Sequence, residues 1–375
     1  MNQLTDHADV VILGGGPAGL AAGIALRQKG MDCLVVEALP PVIDKGCGEG
    51  LMPDALESLR CLGIEISEAD GHAFHGIRFC NAAHSVDAIF PMGTGIGVRR
   101  TRLHQRMIGR AAEMGVRLAW NARAKLLDRS SLSIGGTKIK FNWLIGADGQ
   151  SSSVRRWAGL GGLRHEQLRF AFRRHYQVAP WSEYVEVHWG STGQVYITPV
   201  AADCVCVAFI TRNQHQDRAG FLADFPAVAA KVKDAPLLSR ERGAISATRK
   251  LRNVGQDFVA LVGDASGSVD AITGEGLALS FRQALGLADA IESGDLASYR
   301  KLHRSLARLP QAMAQLMLTM DRWPALERRG LSVLATKPSF FQELLAIHVG
   351  EGSLPHFAVS RGISMAWHLL RAPAY

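Results

Sequence analysis

Residues 10–37, VVILGGGPAGLAAGIALRQKGMDCLVVE, read as a strand, a tight turn, a helix and a second strand. Val10–Leu13 and Cys33–Val36 are short β-rich apolar runs of the kind buried parallel strands use, while Ala18–Lys29 is rich in helix formers and stops at Gly30. Between strand and helix, Gly14, Gly16 and Gly19 stand in the Gly-x-Gly-x-x-Gly spacing. Gly14 permits the turn, Gly16 lets the backbone approach a pyrophosphate, and Gly19 lets the helix pack closely on the strand. Pro17 and Ala18 open the helix whose N-terminus would hold the phosphates. Glu37, followed by Ala38, ends the second strand where a carboxylate can accept hydrogen bonds from a ribose 2′-hydroxyl, and its charge argues against a 2′-phosphate. The unit predicts a bound dinucleotide and leaves NAD and FAD open.

The chain of 375 residues is long enough for one large α/β domain or for two domains sharing a cofactor. With 47% hydrophobic and 20% charged residues it has the composition of a folded globular protein. Cys33, Cys47, Cys61, Cys80, Cys204 and Cys206 form no CxxC pair and no zinc-spaced cluster, so neither disulfides nor a metal site are expected. The segment MNQLTDHAD lacks the basic and apolar regions of a signal peptide, and no uncharged apolar run reaches about 18 residues. A cytoplasmic protein is expected. The net charge of +8 suits anionic cofactors or an anionic membrane surface; with no nucleic-acid motif beside it, that partner is set aside.

Further along, Met52–Leu62 and Thr101–Met114 read as helices, Phe74–Val98 alternates like antiparallel strands, and Trp143–Ala147 is a buried run. Tyr184–Thr211 has the alternating apolar and aromatic pattern of an antiparallel sheet, and the α/β pattern resumes at Phe258–Val262 and Leu277–Ser293. The expected architecture is α/β, a Rossmann-like domain interrupted by a mainly antiparallel substrate sheet and followed by C-terminal helices. The nucleotide domain takes residues 1–75, 99–165 and 256–295, the substrate side 76–98 and 166–255, and the helical region 296–375.

Two later segments decide the cofactor. LIGADGQSSSVR, residues 144–155, carries an Asp-Gly fingerprint at Asp148, Gly149, Ser152 and Arg155, and LVGDASGSVDAITGEGLALS, residues 261–280, carries a Gly-Asp fingerprint. With the glycine turn before them, these resemble the flavoprotein monooxygenase and geranylgeranyl reductase superfamily, the two-fingerprint flavoproteins with the para-hydroxybenzoate hydroxylase fold. The resemblance covers about the first 290 residues. It implies noncovalent FAD, with Asp264 on a ribityl hydroxyl and Arg100 of GVRRTRLHQRM near the pyrophosphate. Gly274, Glu275, Gly276 and Leu277 would offer backbone N–H groups at a helix start to pyrophosphate or the flavin pyrimidine edge. No second Gly-x-Gly-x-x-Gly unit is present, so hydride is expected from transient NAD(P)H or from a partner reductase.

KGCGEGLMP, residues 45–53, resembles the Gly-rich loop of geranylgeranyl reductases, and its GEGLMP portion also that of halogenases and some monooxygenases. Gly48 would back the isoalloxazine, and Cys47 is either a proton donor or a small buried hydrophobe. The Trp-x-Trp-x-Ile-Pro signature of tryptophan halogenases is missing, and Ala271 stands where many hydroxylases have Pro. In YVEVHWGSTGQVYITPV, residues 184–200, His188, Trp189, Tyr196, Thr198 and Pro199 are candidate substrate-lining residues, with core packing as the alternative.

These features predict an FAD-dependent monooxygenase that hydroxylates or epoxidises an aromatic, polyketide-like or lipid-like substrate through a flavin hydroperoxide. The rivals are a reductase of C=C bonds in a prenyl or polyene chain and a flavin-binding protein without turnover. The lack of a long reductase-like C-terminal domain favours the oxygenase; Cys47 and Ala271 pull toward the reductase. At the C-terminal end, Leu302, Leu306 and Leu309 interleave with Arg300, Lys301, Arg304 and Arg308 before an apolar segment containing Phe340, Phe341, Leu344, Leu345, Trp367, Leu369 and Leu370. These helices either cover the other domains or rest peripherally on an anionic membrane.

Overall fold

The computed structural model describes residues 6–161, 163–164, 168–215 and 218–372, so the expected domain boundary at 165/166 lies outside the described residues. β1 (His7–Leu13) leads through the glycine turn into α1 (Pro17–Gln28), and β2 (Cys33–Val36) returns parallel to β1, pairing Val10 with Cys33 and Leu13 with Val36. α2 (Pro53–Cys61) and α3 (Arg100–Glu113) follow, and β3 (Thr137–Gly146) joins the other edge of β1, also parallel. With Val259–Leu261 beside β3 and Arg117–Ala119 beside β2, the parallel heart of an eight-stranded sheet is complete. The four residues of β2 are buried because apolar clusters cover both faces of this sheet, which is why a parallel strand reads as an unbroken apolar run.

A seven-stranded sheet forms the second layer, in the order Arg242–Ala247, β4 (Leu168–Gln177), β7 (Cys204–Thr211), β6 (Gly193–Ala201), β5 (Tyr184–Gly190), Gly76–Cys80, Ser85–Ile89. Its strands are antiparallel except for the parallel pairing of β5 with Gly76–Cys80. The run at 74–98 does not make one hairpin. His72–Phe74 and Gly95–Gly97 form a small third sheet with Gly50–Leu51, and residue 95 must be glycine there, because a Cβ would lie 2.3 Å from the Phe74 ring.

α4 (Gly276–Glu292) returns the chain to the nucleotide domain. α5 (Leu296–Arg322), α6 (Pro324–Thr336), α7 (Pro338–His348), α8 (Leu354–Ser360) and α9 (Gly362–Arg371) then cover one face of the second sheet. α5 is rotated from the leucine stripe in its sequence. Its buried line is Tyr299, His303, Ala307, Pro310 and Ala314, while Leu302 is exposed. Polar anchors set that rotation: the Tyr299 hydroxyl donates to the Leu261 carbonyl at 2.7 Å, and His303 Nε2 meets Ser266 Oγ at 2.8 Å.

Candidate active site

The nucleotide and substrate layers enclose a continuous cavity of about 770 Å³. At its polar end the glycine turn has the geometry its spacing implies. Gly14 has φ +114°, and a Cβ on Gly19 would sit 1.9 Å from the Gly14 carbonyl oxygen, so helix and turn touch backbone to backbone. Gly16, Gly48, Gly274 and Gly276 line the cavity with open space where a Cβ would project. Pro17 and Ala18 line it as well, and no side chain caps the N-terminus of α1 at Gly16 or of α4 at Glu275, which leaves backbone N–H groups free for an anion. The Glu37 carboxylate accepts from the backbone N–H of Gly15 and of Leu39, both at 2.8 Å, and so fastens the turn to the end of β2. Glu37 and Ala38 stand outside the cavity lining.

The two fingerprints clamp one another. Asp148 Oδ2 accepts from the Ser153 backbone at 2.6 Å and its hydroxyl at 2.7 Å, while Arg155 donates to the Ala265 carbonyl at 3.0 Å, tying the first motif to the second. Asp148 Oδ1 and Arg100 Nε are buried polar atoms without a partner in residues that line the cavity. Arg102, by contrast, pairs with Asp70 at 2.8 Å on the surface. Asp264 is exposed to the cavity it lines, and the protein around that cavity pushes its carboxyl above the ordinary value against the pull of Lys45, Arg100 and Arg249. Open glycine backbone, two uncapped helix N-termini, a guanidinium with an orphaned N–H and a carboxylate facing the cavity fit a flavin adenine dinucleotide with its phosphates at Gly16 and Arg100.

Where the cavity turns toward the second sheet, Cys47 lines it, its Sγ accepting from the Glu49 backbone N–H at 3.4 Å. Next to it lies a buried network with no obvious signal in the sequence. Glu49 adopts φ +63°, and its carboxylate accepts from the Arg100 backbone at 2.9 Å and meets His175 Nε2 at 2.6 Å. Glu49, His175 and Cys206 bring three donors within 4.8 Å of one another, a set a metal ion could use; Arg173 shares the pocket, with Nε 3.7 Å from Glu49.

The far lobe is apolar. Tyr196 and Thr198 of β6 line the cavity, the Tyr196 hydroxyl donating to the Ile272 carbonyl and the Thr198 hydroxyl to the Gly48 carbonyl. Pro199, out of phase with them, lies outside the lining and backs the small sheet at Gly97. On β5 the alternation puts Val185 and Val187 in the wall. Trp189 shares their face and stands edge-on to Phe79 at 5.8 Å, while His188 bonds Glu186 at 2.9 Å; neither lines the cavity. Phe79, Phe341, Leu345 and the methionines 52, 313, 317, 320 and 365 complete the lobe.

Three further groups escape a reading of the sequence because their partners are remote in the chain. His104 accepts from the Ile43 N–H at Nδ1 and faces the Gly15 carbonyl with Nε2 at 2.8 Å, which requires the neutral ring with its proton on Nε2; burial pushes its pKa down accordingly. Arg169 and Asp270 form a buried ion pair at 3.0 Å that joins β4 to the Gly-Asp loop. Glu275 does not line the cavity: it is buried with Oε2 unbonded, 3.6 Å from Nδ1 of the cavity residue His348. Burial and the neighbouring Asp54 push its carboxyl up to about 8, against the pull of Arg282.

Residues 7–293 match the FAD binding domain family. The chain is 28% identical to the menaquinone reductase of Mycobacterium tuberculosis (strain CDC 1551 / Oshkosh), over 95% of this chain and 91% of that protein. It is 25% identical to digeranylgeranylglycerophospholipid reductase 3 of Methanosphaera stadtmanae, over 72% of this chain and 74% of the relative. Among solved structures, the flavin-dependent brominase Bmp2 superposes with a TM-score of 0.78 at 18% identity, covering 96% of this chain and 99% of the brominase.

Proposed function

This chain belongs to the FAD binding domain family, and from that premise we propose that it is an FAD-dependent reductase of carbon–carbon double bonds in a long, prenyl-like apolar chain. The observation that carries the proposal is the apolar lobe, continuous with the flavin end of one cavity and walled by methionine and phenylalanine rather than by polar groups that would orient a small aromatic acid. Methionine side chains adapt to irregular chains, which suits a flexible isoprenoid. The relatives named for reduction support the same reading. The menaquinone reductase is matched over 91% of its length, so a long C-terminal domain no longer separates this chain from that reductase.

Bound at the polar end, FAD supplies hydride-transfer chemistry. The chain's own residues do the rest. The turn at Gly14–Gly19 and Arg100 would hold the phosphates, while Tyr196 and Thr198, fixed by their backbone bonds, line the cavity toward the apolar lobe. Cys47 Sγ accepts a backbone N–H, which leaves its S–H proton free to serve a carbanionic centre in the cavity it lines. NAD(P)H or a partner reductase would deliver the electrons. The oxygenase reading retains one supporting feature, an apolar lobe of the kind that would shield an oxygenating flavin from water.

Anaerobic reduction of the holoprotein, followed by addition of a digeranylgeranyl glycerophospholipid, separates the two. The expected result is flavin reoxidation without oxygen and a product heavier by H2. Reoxidation that requires oxygen, with a product that gains an oxygen atom, would overturn the reductase.

A further inference from the structure

α9 is apolar on both sides. Met365 and Leu369 point inward to line the substrate lobe, while Ile363, Trp367 and Leu370, spaced one and two turns apart, are 85%, 52% and 77% exposed. Val359 at the end of α8 is 84% exposed. A helix that only covered a core would carry polar residues outside, and contiguous apolar exposure of this kind marks a contact surface. Charge indicates the partner. Residues 296–375 hold ten Lys and Arg against four Asp and Glu, so most of the chain's net +8 resides in the helical region that carries this face. Arg371 flanks the exposed face, its guanidinium stacked 3.7 Å over the Trp367 ring, while Arg361 at the other end pairs with Glu343 at 2.9 Å. Lys301, Arg304 and Arg308 are exposed along α5. Among the described residues, no helix is long and apolar enough to cross a membrane, so the contact would be with its surface.

We propose that the outer face of α8 and α9 docks on an anionic lipid bilayer and that α9 is the wall through which a lipid-like substrate passes from that bilayer into the cavity. The inference deepens the reductase reading and rests on it for the nature of the substrate. Tryptophan and arginine at the rim sit at headgroup level, and Ile363, Leu370 and Val359 enter the acyl boundary.

Flotation of the FAD-loaded protein with vesicles tests the docking without reference to turnover. The protein should float with phosphatidylcholine–phosphatidylglycerol vesicles at low salt, and less with phosphatidylcholine alone or at high salt. The double variant Ile363→Glu/Leu370→Glu, altered only at outward positions, should keep its flavin and melting temperature and lose about tenfold or more in vesicle partitioning. Equal flotation of variant and native protein, or no flotation of the native protein at low salt, overturns the proposal. So does a native dimer that the double variant converts to monomer, since a second copy would then cover the face. If the protein floats but reduces no prenyl compound, the docking stands and the reductase fails. If it reduces a detergent-dispersed prenyl compound but never floats, the reverse holds.

Discussion

The two ends of the cavity are built from different materials. The cofactor end is mostly backbone: glycines and helix N-termini, with the Gly15 N–H held by Glu37 and the Gly15 and Ala265 carbonyls by His104 and Arg155. The substrate end is side chain, gathered from the small sheet, β5, β6 and four of the five C-terminal helices. The pyrophosphate of a dinucleotide makes the same demands on any chain that binds it, so its site can be written as fixed local spacing. A substrate lobe is a volume, and many combinations of apolar residues fill its walls.

The seam between the ends should be the most sensitive place. Asp270→Ala leaves the Arg169 guanidinium buried without its counter-charge, and should cost about 3–5 kcal/mol in denaturant unfolding; a loss under 1 kcal/mol would mean the two ends are not joined there. Cys47→Ala should lower turnover by about a hundredfold while the protein stays yellow, with Cys47→Ser recovering part of it. Full activity in both variants would make the thiol packing. Glu37→Ala should weaken FAD binding by about 1.5–3 kcal/mol through a loosened Gly15 turn, read by equilibrium dialysis, with the substrate lobe untouched.

Glu275 sharpens the comparison through pH. Folded, it keeps its proton to about pH 8, whereas the unfolded chain releases it near the ordinary 4.5. Between those values the unfolded state binds fewer protons, so stability falls as pH rises, and the deficit persists above pH 8. Glu275→Gln should therefore melt only slightly above the native protein at pH 5 and by a growing margin toward pH 8; a margin independent of pH would place the carboxyl in water. The smallest effect belongs to the substrate end. Met317→Leu should cost less than about 1.5 kcal/mol and leave flavin content unchanged while shifting the preferred chain length of the substrate, because the swap nearly conserves volume.

Much of the cofactor end was legible in the sequence where its contacts stay within a turn or one βαβ unit: Gly14 and Gly19 made the turn and the close approach their spacing implied, and Asp148 and Arg155 fell within one segment, whereas the His104–Gly15 and Arg155–Ala265 contacts join residues 89 and 110 apart. What Glu37 touches was less so, because the Gly15 N–H it binds belongs to the turn itself. On the substrate side, alternation identified β5 and β6 as strands but could not say which phase faces the cavity. Tyr196 and Thr198 line it, His188 and Trp189 do not, and that depends on which layer each sheet face meets. Which line of α5 is buried was likewise not legible, since Tyr299 and His303 bond to remote segments of the nucleotide domain and leave Leu302 exposed.

By itself, then, the sequence determined the Rossmann unit, the two fingerprints and the cofactor they serve, because glycine conformation, helix ends and short-range hydrogen bonds are fixed by residues close in the chain. Only the tertiary structure decided the Glu49–His175 and Arg169–Asp270 pairs, the raised Glu275 carboxyl and the two-sided apolarity of α9. Each of these depends on segments separated by tens to hundreds of residues, and burial, which sets both charge and packing, exists only once those segments meet.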